Sequence, residues 1–194
     1  KPEHFTYTVQ NLERLGVSAV VIEDKKGLKK NSLFGTDVKQ EQDSIENFCE
    51  KIKVGINSKQ TDEFMVIARI ESLILGKGIE DALLRGRSYA DSGANGVLIH
   101  SKDDSEELVF QFVENFKKDF DVPVIVVPTT YNHVTLDEFK KLGVDIVIYA
   151  NHLLRSAYPA MLNTAEEILK FGRTQELEKK LMSVKEVINF IPTD

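Results

Sequence analysis

Leu15-Gly-Val-Ser-Ala-Val-Val-Ile-Glu-Asp24 decides how this chain is read. A glycine closes one segment, an apolar block runs on without alternation, and two carboxylates end it. An unbroken Val/Ile block is the signature of a strand covered on both faces of a parallel sheet, because neither face then calls for polar residues. Gly16 stands where a helix needs a left-handed cap. The tripeptide returns as Leu142-Gly-Val144, just ahead of Asp145-Ile-Val-Ile-Tyr-Ala150. Phe64-Met-Val-Ile-Ala-Arg69, Gly96-Val-Leu-Ile-His100 and Pro123-Val-Ile-Val-Val-Pro128 are further blocks of the same kind. Between them the apolar residues fall at helical spacing: Ile45, Phe48, Cys49, Ile52; Ile79, Ala82, Leu83, Gly86, Ala90; Leu108, Val109, Phe112, Phe116. Gly93 and Gly143 repeat the helix-stop position of Gly16.

The strand ends recur at a mean of about 30 residues, the unit length of a (β/α)8 barrel. A self-standing five-stranded doubly wound sheet explains the same alternation, and periodicity does not choose between the two. Two more amphipathic helices follow, at 151–171 and 183–191, the second opened by the capping-box pattern Ser183-Val-Lys-Glu186. The chain is read as one domain over 1–194. Its last two helices are apolar enough to need a partner surface, which another subunit could supply.

Composition narrows the function. With 25 Lys and Arg against 31 Asp and Glu, the formal net charge is −6, which argues against a nucleic-acid binder held mainly by phosphate contacts. The lone Cys49 makes no internal disulfide, and no apolar run reaches the ~20 residues of a membrane span. The cytoplasm is the expected compartment. No phosphate-binding glycine loop, dinucleotide fingerprint or zinc-spaced Cys/His set is present.

In parallel α/β architectures the chemistry gathers at the carboxyl ends of the strands. Here those ends carry Glu23-Asp24, Arg69 with Glu71, His100-Ser101, Thr129-Thr130 and Asn151-His152. Arg69 and His100 sit flush against apolar runs, where an unpaired charge is costly. The longest connection, from Lys25 to about Gln42, begins with four lysines, an amide and a hydroxyl: Lys25-Lys-Gly-Leu-Lys-Lys-Asn-Ser32. At the active face such a segment acts as a cationic lid over an anionic substrate, a phosphate or a carboxylate.

Glu23-Asp-Lys-Lys-Gly-Leu-Lys-Lys-Asn-Ser32 resembles the signature of phosphoenolpyruvate phosphomutase, in the isocitrate lyase/PEP mutase superfamily of barrels. The resemblance continues through Ala68-Arg-Ile-Glu71, His100-Ser-Lys102, Val127-Pro-Thr129, Tyr149-Ala-Asn-His-Leu-Leu-Arg155 and Ser183-Val-Lys-Glu186. It implies a TIM-type (β/α)8 barrel and a Mg²⁺-assisted isomerase that interconverts phosphoenolpyruvate and phosphonopyruvate in phosphonate biosynthesis. It also implies a small-molecule substrate, no nucleic acid or membrane, and a homo-oligomer, a dimer or tetramer with an exchanged C-terminal helix.

Residue by residue, the resemblance places Glu23 in the Mg²⁺ site through bound water. Lys29 and Asn31 fall on a gating loop near the substrate, and Arg69 and His100 on the substrate's anionic groups. Ser32 and Asn151 are implied to lie at or behind the substrate. Superfamily lyases carry a Cys in the corresponding loop. Lys29-Lys-Asn-Ser-Leu33 has none, which disfavours a lyase. Phosphonopyruvate hydrolase, the main alternative, tends to carry Thr where Asn31 stands. Family members also have three strands ahead of the one ending at Glu23, bearing a Ser-containing substrate loop and Mg²⁺-ligating aspartates. The chain is therefore expected to supply the last five βα units plus C-terminal helices, with activity belonging to a longer parent protein. A truncated, non-catalytic interaction module is the alternative of another class.

Overall fold

A computed structural model describes residues 3–27, 31–32 and 39–191. Its chain divides into two compact units, Lys1–Tyr149 and Ala150–Asp194. In the first unit α1 (His4–Arg14) leads into β1 (Ala19–Glu23). Then follow α2 (Ile45–Ser58), β2 (Met65–Ile70), α3 (Gly78–Asp91), β3 (Gly96–Ile99), α4 (Glu107–Asp119), β4 (Val124–Val126), α5 (Leu136–Leu142) and β5 (Ile146–Val147). Every apolar block of the sequence forms a strand.

The sheet answers the question that periodicity leaves open. Its five strands lie in the order β1-β2-β3-β4-β5, and every neighbouring pair is parallel. A doubly wound sheet reverses its strand order at a switch point and carries helices on both faces. Here the order never reverses, and among the described residues the helices of the first unit pack on one face. Ile22, Val66, Ala68, Ile70, Val97, Ile99, Val124 and Val126 meet Phe48, Ile52, Leu83, Tyr89, Phe112, Phe116 and Phe139 in the main core. The opposite face buries a smaller apolar cluster, Ile67, Leu98, Ile125 and Val127, with Ala19 and Met65 against it and no helix residue among the described members. That layering is the one found inside a (β/α)8 barrel.

Local chemistry fixes the ends of the elements. Ser44 caps α2 by accepting from the Asn47 amide at 3.2 Å. Thr135 and Glu138 open α5 as a reciprocal capping box, and Gly143 ends the helix at φ +96°. Gly16, in the twin Leu-Gly-Val tripeptide, has φ +74°.

The second unit contains α6 (His152–Phe171) and α7 (Val184–Ile188). The expected capping box of Ser183 and Glu186 opens α7. No helix among the described residues is long and apolar enough to cross a membrane.

Gly86 tests the packing of the main core. A Cβ there would stand 2.9 Å from Cζ of Phe112. That ring is fully buried and stacked on Phe116 at 5.5 Å, so it has nowhere to go. Gly86→Ala is expected to lower stability by about 1–3 kcal/mol through overpacking, although alanine favours a helix by about 1 kcal/mol. Urea unfolding of the two proteins measures the difference.

Candidate active site

Period-two alternation sorts the polar ends of the strands. Val20 and Ile22 face the helices, so Val21 and Glu23 face the opposite side, and Asp24 returns to the helix side. The Glu23-Asp24 pair is thus split between two environments. On β2, Ile67 belongs to the inner face, and Arg69 and Glu71 continue it. Leu98 does the same on β3, which puts His100 on that face too.

Register then lines up the charges. Glu23 pairs with Arg69 across β1 and β2. Two residues further on, Lys25 reaches the level of Glu71. The result is a checkerboard with opposite signs side by side and one behind the other. Lys25 Nζ lies 2.9 Å from Glu71 Oε2 and 3.3 Å from Glu23 Oε2. Arg69 donates from Nε to Glu71 Oε1. Glu71 has no exposed surface. Two cations around one buried carboxylate offset the desolvation that would otherwise make its burial prohibitive.

Ser32 joins this cluster from the long connection. Its hydroxyl donates to Glu71 Oε2 at 2.8 Å and accepts from Arg69 Nη2 at 2.7 Å and Lys25 Nζ at 3.1 Å. A serine hydroxyl has one proton and two lone pairs, and here all three are used. Asn31 is the neighbour of Ser32 and is exposed.

His100 completes the group. Burial first, then the Arg69 guanidinium, hold its imidazole down to about 4, while Glu71 and Glu23 pull the other way. The ring is therefore neutral at pH 7. Its Nδ1 is buried and has no hydrogen-bond partner among the described residues. An orphaned buried nitrogen beside a guanidinium leaves one polar contact open for a ligand.

Behind β1 and β2 lies a second polar cluster of a different kind. Asp24 is fully buried and accepts from Tyr89 Oη at 2.7 Å, Gln42 Nε2 at 2.8 Å, the Glu71 amide at 3.0 Å and Arg85 Nη1 at 3.3 Å. Burial pushes the Asp24 carboxyl up, and the hydrogen bonds from Tyr89 and Gln42 oppose that shift. Arg85 also donates to the Asp43 carbonyl at 2.9 Å. Backbone bonds from Lys26 to Glu41 and from Asp43 to Asp24, each 2.8 Å, join the two ends of the long connection. This cluster anchors the connection and braces the strand ends from behind.

Of the residues expected at the site, Glu23, Ser32, Arg69 and His100 meet at one end of the sheet. Lys29 lies outside the described residues. Asn151 belongs to the second unit, at the head of α6, whereas the cluster is built wholly from the first. Glu71, expected at a strand end, and Lys25, expected at the start of the cationic lid, had no individual role in the sequence reading, and the structure puts both at the centre of the site. Their signal was present as Glu23-x-Lys25 and Arg69-x-Glu71, two oppositely charged pairs at the i, i+2 spacing that shares one face of a strand.

Among the described residues, no group of three or more His, Cys, Asp or Glu side chains is arranged to hold a metal ion. Glu23 offers a single carboxylate, already near Lys25. That fits one water-mediated contact to a hard cation, and it does not make a complete ligand set.

The depressed His100 gives a signed prediction. An unfolded histidine titrates near ~6.5, and the folded one at about 4. Between these values the unfolded chain binds more protons, so acid favours unfolding there. Relative to a His100→Gln variant, the wild type is expected to lose up to about 3 kcal/mol as pH falls from ~6.5 to ~4, and no more below. Urea titrations of both proteins across that window measure the difference, and parallel pH profiles would show that His100 is not held neutral.

The sequence profile of the phosphoenolpyruvate phosphomutase family matches residues 1–169. The phosphoenolpyruvate phosphomutase of Tetrahymena pyriformis is 39% identical over 92% of this chain and 59% of its own length. The phosphonopyruvate hydrolase of Variovorax sp. (strain Pal2) is likewise 39% identical, over 94% of this chain and 62% of its own. A solved phosphonopyruvate hydrolase in complex with oxalate and Mg²⁺ superposes with a TM-score of 0.84 at 36% identity, covering 94% of this chain and 62% of the other. The chain thus spans about three fifths of the length of these relatives. Its sheet is five consecutive βα units of their barrel. The chain belongs to the phosphoenolpyruvate phosphomutase family.

Proposed function

We propose that the full-length protein is a phosphoenolpyruvate phosphomutase, an isomerase that moves a phosphoryl group between the enol oxygen of phosphoenolpyruvate and the methylene carbon of phosphonopyruvate. One observation carries this reading. A guanidinium, an ammonium, two carboxylates, a saturated hydroxyl and a neutral imidazole converge at the carboxyl end of one buried parallel sheet. Phosphoryl transfer asks a protein for positioning and for fixed positive charge more than for covalent chemistry.

Arg69 is the residue that grips the phosphoryl or carboxylate oxygens, because its planar fork matches them and Glu71 holds it in place. His100 donates to the same anion as a neutral imidazole. Asn31 supplies an amide from beside Ser32, and Lys29 further positive charge. Asn151 is proposed as a weaker substrate contact. Mg²⁺ is proposed as the cofactor, supported by the related hydrolase solved with that ion. When bound it would polarise the pyruvyl oxygens. Glu23 is the donor that the described residues contribute, through water, and the other ligands are sought elsewhere in the full-length protein.

Asn31 favours the mutase over the hydrolase, since the hydrolase tends to carry Thr there. A lyase is disfavoured because Lys29-Lys-Asn-Ser-Leu33 lacks a thiol. Cys49, the single cysteine, lies on α2 with its Sγ 3.5 Å from the Ser88 carbonyl. We further propose a cytoplasmic homo-oligomer with an exchanged C-terminal helix. The exposure of Val184, Val187 and Ile188 on α7, at 57–72%, supports it.

Phosphonopyruvate and Mg²⁺ added to the full-length protein and followed by phosphorus NMR test the reading. Phosphoenolpyruvate is the expected product, and inorganic phosphate with pyruvate would identify a hydrolase instead. Arg69→Lys is expected to lower kcat/KM about 100-fold, the loss of a charged, forked contact. Unchanged turnover would remove Arg69 from the site.

A further inference from the structure

A guanidinium has two edges that can grip an anion: a side edge made of Nε and Nη2, and an end edge made of Nη1 and Nη2. An arginine beside a carboxylate frequently closes one edge directly on both oxygens. In the Arg69–Glu71 pair only one arm closes in that way. Arg69 Nε donates to Glu71 Oε1, whereas Nη2 donates to Ser32 Oγ at 2.7 Å, and Ser32 Oγ in turn donates to Glu71 Oε2 at 2.8 Å. The serine hydroxyl is thus inserted into the second arm as a spacer. Lys25 Nζ holds it there, 3.1 Å from Ser32 Oγ and 2.9 Å from the same Glu71 oxygen.

With its proton and both lone pairs engaged, this hydroxyl has no bond left to offer a substrate. It acts on one through the guanidinium. The side edge of Arg69 is taken up, and Nη1 makes no hydrogen bond among the described residues. The Arg69 side chain keeps 17% of its surface open, while that of Glu71 keeps none. The end edge is therefore the part left to an incoming anion.

We propose that Ser32 is a positioning residue: its hydroxyl spaces Arg69 from Glu71 so that the end edge, Nη1 with Nη2, faces the anionic group of the substrate. The proposal rests on Arg69 gripping that group, as read above. Without the hydroxyl, Arg69 Nη2 loses its acceptor and Glu71 Oε2 loses a donor. Both losses are made good at once if Nη2 closes directly on Glu71 Oε2 in a bidentate pair. That closure draws the end edge toward Glu71 and away from the substrate.

The full-length protein with Mg²⁺ serves for the test, with oxalate as the probe and calorimetry as the measurement. Ser32→Ala is expected to weaken oxalate binding about tenfold, the loss of one hydrogen bond to a charged group. In an Arg69→Lys background, which has no fork to orient, the same change is expected to cost less than about twofold. Equal losses in both backgrounds would overturn the proposal, because a purely structural role for Ser32 does not depend on a guanidinium. An Arg69→Lys protein that binds oxalate as tightly as the wild type would overturn it too, since there would be no grip to orient.

Crystal structures give an independent answer. In Ser32→Ala, Arg69 Nη2 is expected to bond Glu71 Oε2 directly, and an unmoved guanidinium, whether bridged by a water or by nothing, would overturn the proposal. The wild-type oxalate complex needs no variant. Oxalate is expected on Nη1 and Nη2 with Ser32 Oγ still bonded to Nη2, and oxalate on Nε or on Ser32 Oγ would overturn the proposal. Product analysis by phosphorus NMR tests the mutase reading separately. Phosphate as the sole product would fail that reading, and the oxalate measurements would still decide the role of Ser32.

Discussion

One buried carboxylate sets the terms for the rest of this molecule. Glu71 has no contact with solvent, and it is tolerable there only because Arg69, Lys25 and Ser32 all bond to it. Those partners come from the same strand end, the neighbouring strand end and the long connection, so satisfying one charge draws three parts of the chain together. Its backbone amide ties it also to Asp24 on the other side of the sheet. Removing any one partner leaves a charge or a polar atom buried without compensation, which is the costly direction of the asymmetry between making and losing such bonds.

The alternation of strand side chains converts this constraint into a division of labour. Inner-facing Glu23, Arg69, Glu71 and His100 form a polar layer above the apolar layer of Ile67, Leu98, Ile125 and Val127. Helix-facing Asp24, with Arg85, Tyr89 and Gln42, forms the brace behind it. Adjacent residues in the sequence, Glu23 and Asp24, thereby fall in an inner-facing polar layer and in the brace behind it. The apolar floor lies beneath the polar layer, and burial of Glu71 and His100 in it strengthens the electrostatics there.

Much of this was legible before any coordinates. Strand positions were, because a strand buried on both faces leaves no polar residue to interrupt Val97-Leu-Ile99 or Val124-Ile-Val126. The grouping of Glu23, Arg69 and His100 followed from placing strand ends at one side of a parallel sheet. Strand order was not legible, since it rests on hydrogen bonds between segments some 30 residues apart, about which periodicity is silent. The pairing of Glu71 with Lys25 was not legible for a related reason: each stands at the right end of the sheet in the sequence, but only the Glu23–Arg69 register sets them opposite one another. Ser32 lies in a connection with no periodicity; the resemblance implied it near the substrate, and its three contacts show it as the centre of the cluster. The α5 start, Thr135-Leu-Asp-Glu138, carried a readable capping-box pattern that the longer helices overshadowed.

A crystal structure of the full-length protein with bound oxalate, a planar dianion shaped like the pyruvate enolate, tests the central claim most directly. Oxalate is predicted to lie on the inner face, bonded to Arg69 and within reach of His100, with Arg69 Nε still on Glu71 and Asp24 untouched. Oxalate bound elsewhere, or Glu71 released from Arg69 and turned toward water, would contradict the account.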